Sequence, residues 1–208
     1  MTLEAVKARI AAACDRVGRD PSGVKLVAVT KEASIEQVRD AVAAGCTDLG
    51  ENRAQQLAER AELVPDANWH FIGPLQTNKI RYLDGACLIH SLESKHQAAA
   101  LAKRNRAFEV LLEVNVADEP SKHGVRPVEI DRILEELGAY PNVTVRGFMF
   151  MAPQAENPED VRWVFAEGAK LKERYGLEEL SMGMTDDFEV AIEEGATIVR
   201  IGRAIFAS

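Results

Sequence analysis

Lys25-Leu26-Val27-Ala28-Val29-Thr30-Lys31-Glu32-Ala33-Ser34-Ile35-Glu36-Gln37 reads as a strand that runs into a helix. Residues 25–30 are short, apolar and β-branched, the pattern of a strand covered on both faces in a parallel sheet. Ser34-Ile35-Glu36-Gln37 has the form of a capping box, in which Ser34 and Gln37 satisfy free N–H groups at a helix start. That helix places Ile35, Val38 and Val42 on one face and stops at Gly45, after which residues 47–50 read as the next strand. Downstream the unit recurs, with strand-like segments at 69–72, 87–92, 109–116, 143–150, 180–182 and 197–201 and a helical stretch after each of the earlier ones. Ile130, Ile133, Leu134 and Leu137 form one helical stripe, and Asn157-Pro158 opens another that contains Val161, Val164, Phe165 and Leu171. Upstream, Leu3, Val6, Ile10, Ala13 and Val17 recur at helical spacing behind Thr2 and stop at Gly18, before a turn at Asp20-Pro21-Ser22-Gly23.

Strict alternation of strand and helix implies a parallel sheet covered by helices, and about eight units point to closure rather than to an open sheet. The expected fold is a single-domain (β/α)8 TIM-type barrel spanning 1–208, with an additional N-terminal helix. Residues 202–208 are too few for a full last helix, so the opening helix is expected to cover that part of the barrel. No linker, fixed-period repeat or low-complexity segment marks a further domain.

A net charge of -8 argues against nucleic acid or an anionic membrane as the main partner. Cys14, Cys46 and Cys87 are odd in number, far apart and without C-x-x-C spacing, which supports neither a disulfide framework nor a zinc site. Glu4, Lys7 and Arg9 interrupt the first apolar stretch as a secretory signal, and no later run is long enough to span a bilayer. A cytoplasmic protein is expected.

In parallel barrels the chemistry sits at the C-terminal ends of the strands. Lys31 ends the first strand, where an amine at the rim of an apolar barrel is a candidate nucleophile toward an aldehyde; equally, a lysine there can simply reach water. The seventh and eighth strand ends offer hydroxyls from Ser181 and Thr185 and backbone N–H groups at Gly202 and Arg203, a candidate phosphate cradle. Glycines at such places also serve tight turns. His70 and His90 read as hydrogen-bonded strand-end histidines rather than metal ligands, since neither has a ligand-spaced partner. His96 and His123 read as surface residues, and Met149, Met151, Met182 and Met184 as core or pocket wall. The stretch from Gly73 to Lys79 lacks the second glycine and the Lys-Ser/Thr ending of a nucleotide loop, and the chain has no G-x-G-x-x-G, H-E-x-x-H or G-x-S-x-G.

Taken in order, these motifs resemble the pyridoxal-phosphate homeostasis proteins, whose barrel is similar to the N-terminal domain of alanine racemase. The resemblance rests on Ala28-Val29-Thr30-Lys31, Gly50-Glu51-Asn52-Arg53, Trp69-His70-Phe71-Ile72-Gly73 with Gln76 and Asn78-Lys79, and Ile89-His90-Ser91-Leu92. It continues through Asn115-Val116 with Ser121-Lys122, the segment from Gly147 to Pro153, Leu180-Ser181-Met182-Gly183-Met184, and Val199-Arg200-Ile201-Gly202. It implies pyridoxal 5′-phosphate as cofactor, held as an aldimine on Lys31, with Lys122 as the reserve lysine. It also implies that Ser181, Thr185, Gly202 and Arg203 surround the phosphate, with Gly183 among the cofactor-binding residues. Arg200 would then face the pyridine nitrogen, and Asn52 and His70 would lie near the ring. Thr30 and Thr185 stand where serine is common in the family, and the chain ends at Phe206-Ala207-Ser208 where a glycine usually follows the phenylalanine.

The function this implies is sequestration of pyridoxal phosphate, with delivery to pyridoxal-phosphate-dependent apo-enzymes, by a monomer without turnover. The alternative is a racemase or decarboxylase using the same lysine. Racemases of this barrel type draw a tyrosine base from a second domain, whereas Tyr82, Tyr140 and Tyr175 here fall in expected helices or their flanks, away from the strand ends. A third reading is an interaction protein for which the cofactor is a sensed signal.

Overall fold

The computed structural model describes residues 2–117 and 123–206. Thr2 caps the first helix, α1 (Leu3–Arg16), by accepting from the Ala5 N–H, and Val6, Ile10, Ala13 and Cys14 form its buried face. A 3₁₀ turn over Pro21–Gly23 leads into β1 (Lys25–Val29), and α2 (Ile35–Ala43) follows. Both halves of the capping box form: the Ser34 side chain accepts from Gln37 N–H, and the Gln37 side chain accepts from Ser34 N–H. The alternation continues through β2 (Asp48–Glu51), α3 (Ala54–Leu63), β3 (Asn68–Phe71), β4 (Ala86–Leu92), α4 (Lys95–Ala102) and β5 (Phe108–Val114). It is completed by α5 (Ile130–Leu137), β6 (Val143–Phe150), α6 (Arg162–Tyr175), β7 (Glu179–Ser181), α7 (Phe188–Glu193), β8 (Ile198–Ile201) and α8 (Arg203–Phe206).

All eight strands pair in parallel with their sequence neighbours, and β8 closes on β1 through Leu26 opposite Val199 and Ala28 opposite Ile201. The fold is the closed (β/α)8 barrel that the alternation implies. One connection differs from a full α-helix: a 3₁₀ segment over Thr77–Tyr82 joins β3 to β4. Gly73-Pro74 on one side and Asp84-Gly85 on the other leave that segment little room to lengthen.

Apolar side chains fill two regions. Val27, Leu88, Leu111, Met149 and Ile198 come from five strands and pack together inside the barrel. The larger cluster lies between strands and helices and includes Leu49, Trp69, Phe148, Phe165 and Phe188. Each such fully buried side chain contributes about 1.5–3 kcal/mol. As expected for the short last helix, α1 packs against α7 and α8. Arg19, just beyond α1, donates to the carbonyls of Ile192 and Ala196, and Arg16 pairs with Glu193 at 2.6 Å. Among the described residues no helix is long and apolar enough to cross a membrane, and Cys14, Cys46 and Cys87 are free.

Candidate functional site

The strand registers decide which loops meet. Val29 in β1 lies opposite Gly50 in β2, Ala28 lies opposite Ile201 in β8, and the Arg200 N–H donates to the Gly183 carbonyl at 3.0 Å. The segments that follow β7, β8, β1 and β2 therefore sit side by side at one end of the barrel. They carry Gly183 and Thr185, Gly202 and Arg203, Lys31, and Asn52.

Lys31 is half exposed, and its Nζ lies 3.6 Å from Glu32 Oε1. The backbone on either side is held by Arg60 from α3, which donates to the Thr30 carbonyl at 2.9 Å and the Ala33 carbonyl at 2.7 Å. Arg60 is itself paired at 3.1 Å with the fully buried Glu51, which accepts from the Thr30 hydroxyl at 2.5 Å. Burial pushes the Glu51 carboxyl above its ordinary range against the opposing pull of Thr30 and Arg60, and its Oε2 has no hydrogen-bond partner.

Gly202 precedes α8 and Arg203 begins it, and among the described residues their N–H groups have no backbone acceptor. A Cβ on Gly202 would lie 3.0 Å from the Val29 carbonyl oxygen, a tight contact that glycine avoids where β8 passes the end of β1. Gly183 has φ +89, and a Cβ there would meet Phe188 Cα at 2.9 Å. Thr185 is half-buried, and the Arg203 side chain reaches out to Asp186 at 2.9 Å, leaving its backbone as the inward donor. Free N–H groups, a hydroxyl and close backbone approach fit a phosphate group. Asp187 accepts from Met184 N–H at 2.6 Å beside them, and burial raises its carboxyl.

Ser181 departs from the expected cradle role. It closes β7 with its side chain inside the barrel, fully buried, and its oxygen is 2.8 Å from His90 Nδ1 and accepts from Arg200 Nη1 at 2.6 Å. Arg200 Nη2 donates to the Phe150 carbonyl at 3.0 Å. Desolvation lowers this guanidinium to about 10, against the pull of Glu113 and Asp187, so it stays charged at neutral pH. His70 lies in the interior rather than at the rim: its Nδ1 is 3.0 Å from His90 Nε2 and its Nε2 is 3.0 Å from Asp48 Oδ1. Both histidines are thus hydrogen-bonded strand residues, as their sequence setting implies. Burial holds His90 well below its ordinary value, reinforced by His70 and Arg200.

Two cavities open at this end. One of about 610 Å³ is lined by Asn52, Arg53, Phe71, Pro74, Gln76 and Lys79 among others, and one of about 280 Å³ by Ala152, Met184, Asp187 and Arg203 among others. Neither is lined by Lys31, which is half exposed. Lys122, the reserve lysine, lies outside the described residues. The tyrosines stand off the site: Tyr82 ends the 3₁₀ segment, Tyr140 follows α5, and Tyr175 ends α6 with its hydroxyl donating to Asp131 at 2.7 Å. The sequence carries no sign of the roles of Arg60, Asp48 and Glu113, and Glu51 stands out only as part of Gly50-Glu51-Asn52-Arg53. Their partners are main-chain carbonyls or residues on other strands, for which no local spacing exists.

The whole chain, residues 1–208, matches the family described as alanine racemase, N-terminal domain. Proteins named pyridoxal phosphate homeostasis protein from Aquifex aeolicus and Deinococcus radiodurans are each 44% identical to it. The matches cover 98% and 100% of this chain and 95% and 100% of theirs. Among solved structures, PipY of Synechococcus elongatus with PLP bound superposes with a TM-score of 0.81 at 32% identity, over 95% of this chain and all of its own. Alanine racemase from Corynebacterium glutamicum, at 19% identity and TM-score 0.70, shares the fold over 98% of this chain and 61% of its own. On this sequence similarity, full in length on both sides, the chain belongs to the pyridoxal phosphate homeostasis proteins of the alanine racemase N-terminal-domain family.

Proposed function

We propose that this protein binds pyridoxal 5′-phosphate reversibly through Lys31 and holds the reactive aldehyde in store for pyridoxal-phosphate-dependent apo-enzymes, without turnover of its own. The observation that carries the reading is that Lys31 and the N–H groups of Gly202 and Arg203, which have no backbone acceptor among the described residues, stand at adjacent strand ends. The bound PLP of PipY and the names of the full-length relatives support it. When bound, the cofactor supplies an aldehyde that condenses with a primary amine. Lys31 is that amine, its loop fixed by Arg60; Gly202, Arg203, Gly183 and Thr185 take the phosphate; Arg200 donates toward the ring nitrogen, with Asn52 beside it. A guanidinium can only donate, so beside the ring nitrogen it would oppose protonation of that nitrogen, which would make the ring a weaker electron sink and disfavour carbanion chemistry. A monomer in the cytoplasm is the setting this role implies.

Borohydride reduction of the loaded protein followed by peptide mapping should place the pyridoxyl group on Lys31, and Lys31→Ala should abolish it. Label undiminished in Lys31→Ala would overturn the assignment. Pyridoxal without its phosphate should bind at least roughly 100-fold more weakly, since it forgoes two or more charge-assisted hydrogen bonds. Incubation of the loaded protein with L- and D-amino acids should give no multiple-turnover racemisation or carbon dioxide release. Sustained turnover lost in Lys31→Ala would establish the enzyme reading instead.

A further inference from the structure

Five polar residues on five different strands form one continuous chain through the barrel. Asp48 opens β2, His70 lies in β3, His90 in β4, Ser181 closes β7, and Arg200 lies in β8. The successive distances are 3.0 Å from Asp48 to His70, 3.0 Å from His70 to His90, 2.8 Å from His90 to Ser181 and 2.6 Å from Ser181 to Arg200. His70, His90, Ser181 and Arg200 are all buried, and only the Asp48 side chain, 20% exposed, reaches the far end of the barrel.

The two ends set the direction. Arg200 can only donate and an ionised Asp48 can only accept. Burial pushes the Asp48 carboxyl upward, while hydrogen bonds from His70 and Asn68 and the charge of Lys25 hold it down and keep it ionised. With both imidazoles neutral, one arrangement gives every hydrogen an acceptor. Arg200 donates to the Ser181 oxygen, the Ser181 hydroxyl to His90 Nδ1, His90 Nε2–H to His70 Nδ1, and His70 Nε2–H to Asp48. Reversing the histidines would require an extra proton on His70 and would make Ser181 Oγ an acceptor twice over, leaving its hydroxyl hydrogen without a partner among the described residues. It would also bury a second cation beside Arg200.

We propose that Asp48, His70, His90 and Ser181 are positioning residues for Arg200: a buried one-way hydrogen-bond relay that fixes the plane of its guanidinium and links its charge to the carboxylate at the opposite end of the barrel. Among the described residues, the hydrogen bonds of Arg200 go only to the neutral oxygens of Ser181 and Phe150. The relay makes the Ser181 oxygen a stronger acceptor, because each link donates toward a negative end. Only the consequence for pyridoxal phosphate rests on the function proposed above; the direction of the relay does not.

The test reads the two separately. Nitrogen-15 imidazole spectra of the cofactor-free protein near neutral pH should show His70 and His90 both neutral with hydrogen on Nε2. Asp48→Ala, at the partly exposed end where folding is least at risk, should let His90 carry its hydrogen on Nδ1 in a measurable fraction. Asp48→Asn keeps an acceptor oxygen and should restore the Nε2–H pattern. Asp48→Ala should also weaken pyridoxal phosphate binding about threefold to thirtyfold, a range usual for residues acting through others, with recovery in Asp48→Asn. A wild-type His90 that is charged or carries its hydrogen on Nδ1 would overturn the relay, as would Asp48→Ala spectra and affinity identical to wild type. If the wild type takes up no pyridoxal phosphate, the proposed function falls while the imidazole spectra still decide the relay.

Discussion

Glu113 is a carboxyl in β5 that is 6% exposed and pushed up to about 7, first by burial, then by Glu93, against His123 and Arg200. Its ordinary value is 4.5, so between that value and about 7 the folded protein binds more protons here than the unfolded chain. The sign follows: the stability held by the neutral carboxyl is fully present in acid and lost as pH rises through the folded value. Glu113→Gln keeps the shape and removes the titration. It should gain about 2–3 kcal/mol over wild type near about pH 8 and almost nothing near about pH 4, read by denaturant unfolding at both. Equal gains at both pH values would show that the carboxyl is not held neutral. At this scale the sequence is legible where a residue ends a strand. Lys31, Asn52, Gly202 and Arg203 are visible from position alone, because strand ends in a parallel barrel share one face. Ser181 was not, since alternation along a strand turns a side chain either toward the helices or into the barrel, and its place at a strand end does not show that it is taken up by His90 and Arg200 inside.

Between the elements, the clearest device is the grip of α3 on the segment after β1. Arg60 fills its fork with two main-chain carbonyls and the carboxyl of Glu51, so it orders the stretch that carries Lys31 without touching Lys31. Ser34 and Gln37 on the far side of that stretch were readable as a capping box because their signal is local, three residues apart. Arg60 was not, because its partners lie 30 and 27 residues away and carbonyls have no sequence signature. Removing one member of a buried pair costs about 3–5 kcal/mol when the other stays charged. Arg60→Ala should therefore destabilise by about 2–4 kcal/mol near neutral pH, less in acid, where Glu51 can take a proton. Amide exchange at residues 31–33 should rise as well. Arg60→Lys restores the charge but not the fork, so it should recover stability more than it recovers exchange protection. Unchanged exchange in Arg60→Ala would remove the clamp.

For the molecule as a whole, the strand and helix order was legible because each β-α unit repeats the same apolar alternation, and the observed strands fall within two residues of the expected ones. Closure itself was inferred from their number. That α1 covers the barrel beside the short α8 was also expected from the sequence; what the sequence left open is which contacts hold it there. The seal is built from long-range contacts: Arg9 to Glu189 at 2.9 Å, Arg16 to Glu193, and Arg19 to the carbonyls at the end of α7. Arg162 in α6 binds Glu193 from the other side at 2.6 Å, so α1, α6 and α7 share one ionic cluster. Partly exposed ion pairs of this kind are worth about 1 kcal/mol or less each, whereas Arg19 satisfies two main-chain carbonyls that would lose this donor with it. Arg19→Ala should accordingly cost about 1.5–3 kcal/mol and Glu193→Ala no more than about 1. Trp69 makes the test one of cooperativity: it is 2% exposed behind β3, on a different wall of the barrel from α1. With the second tryptophan, Trp163 in α6, replaced by phenylalanine so that Trp69 alone reports, Arg19→Ala will lower the denaturant midpoint seen by fluorescence and by far-ultraviolet circular dichroism equally, with the slope unchanged, if the ring of strands unfolds as a unit. A Trp69 transition that stays in place while the dichroism midpoint moves would mean that α1, α7 and α8 come away first, and that the ends of β7 and β8, which lead to Gly183 and Arg203, can open while the rest of the barrel stands.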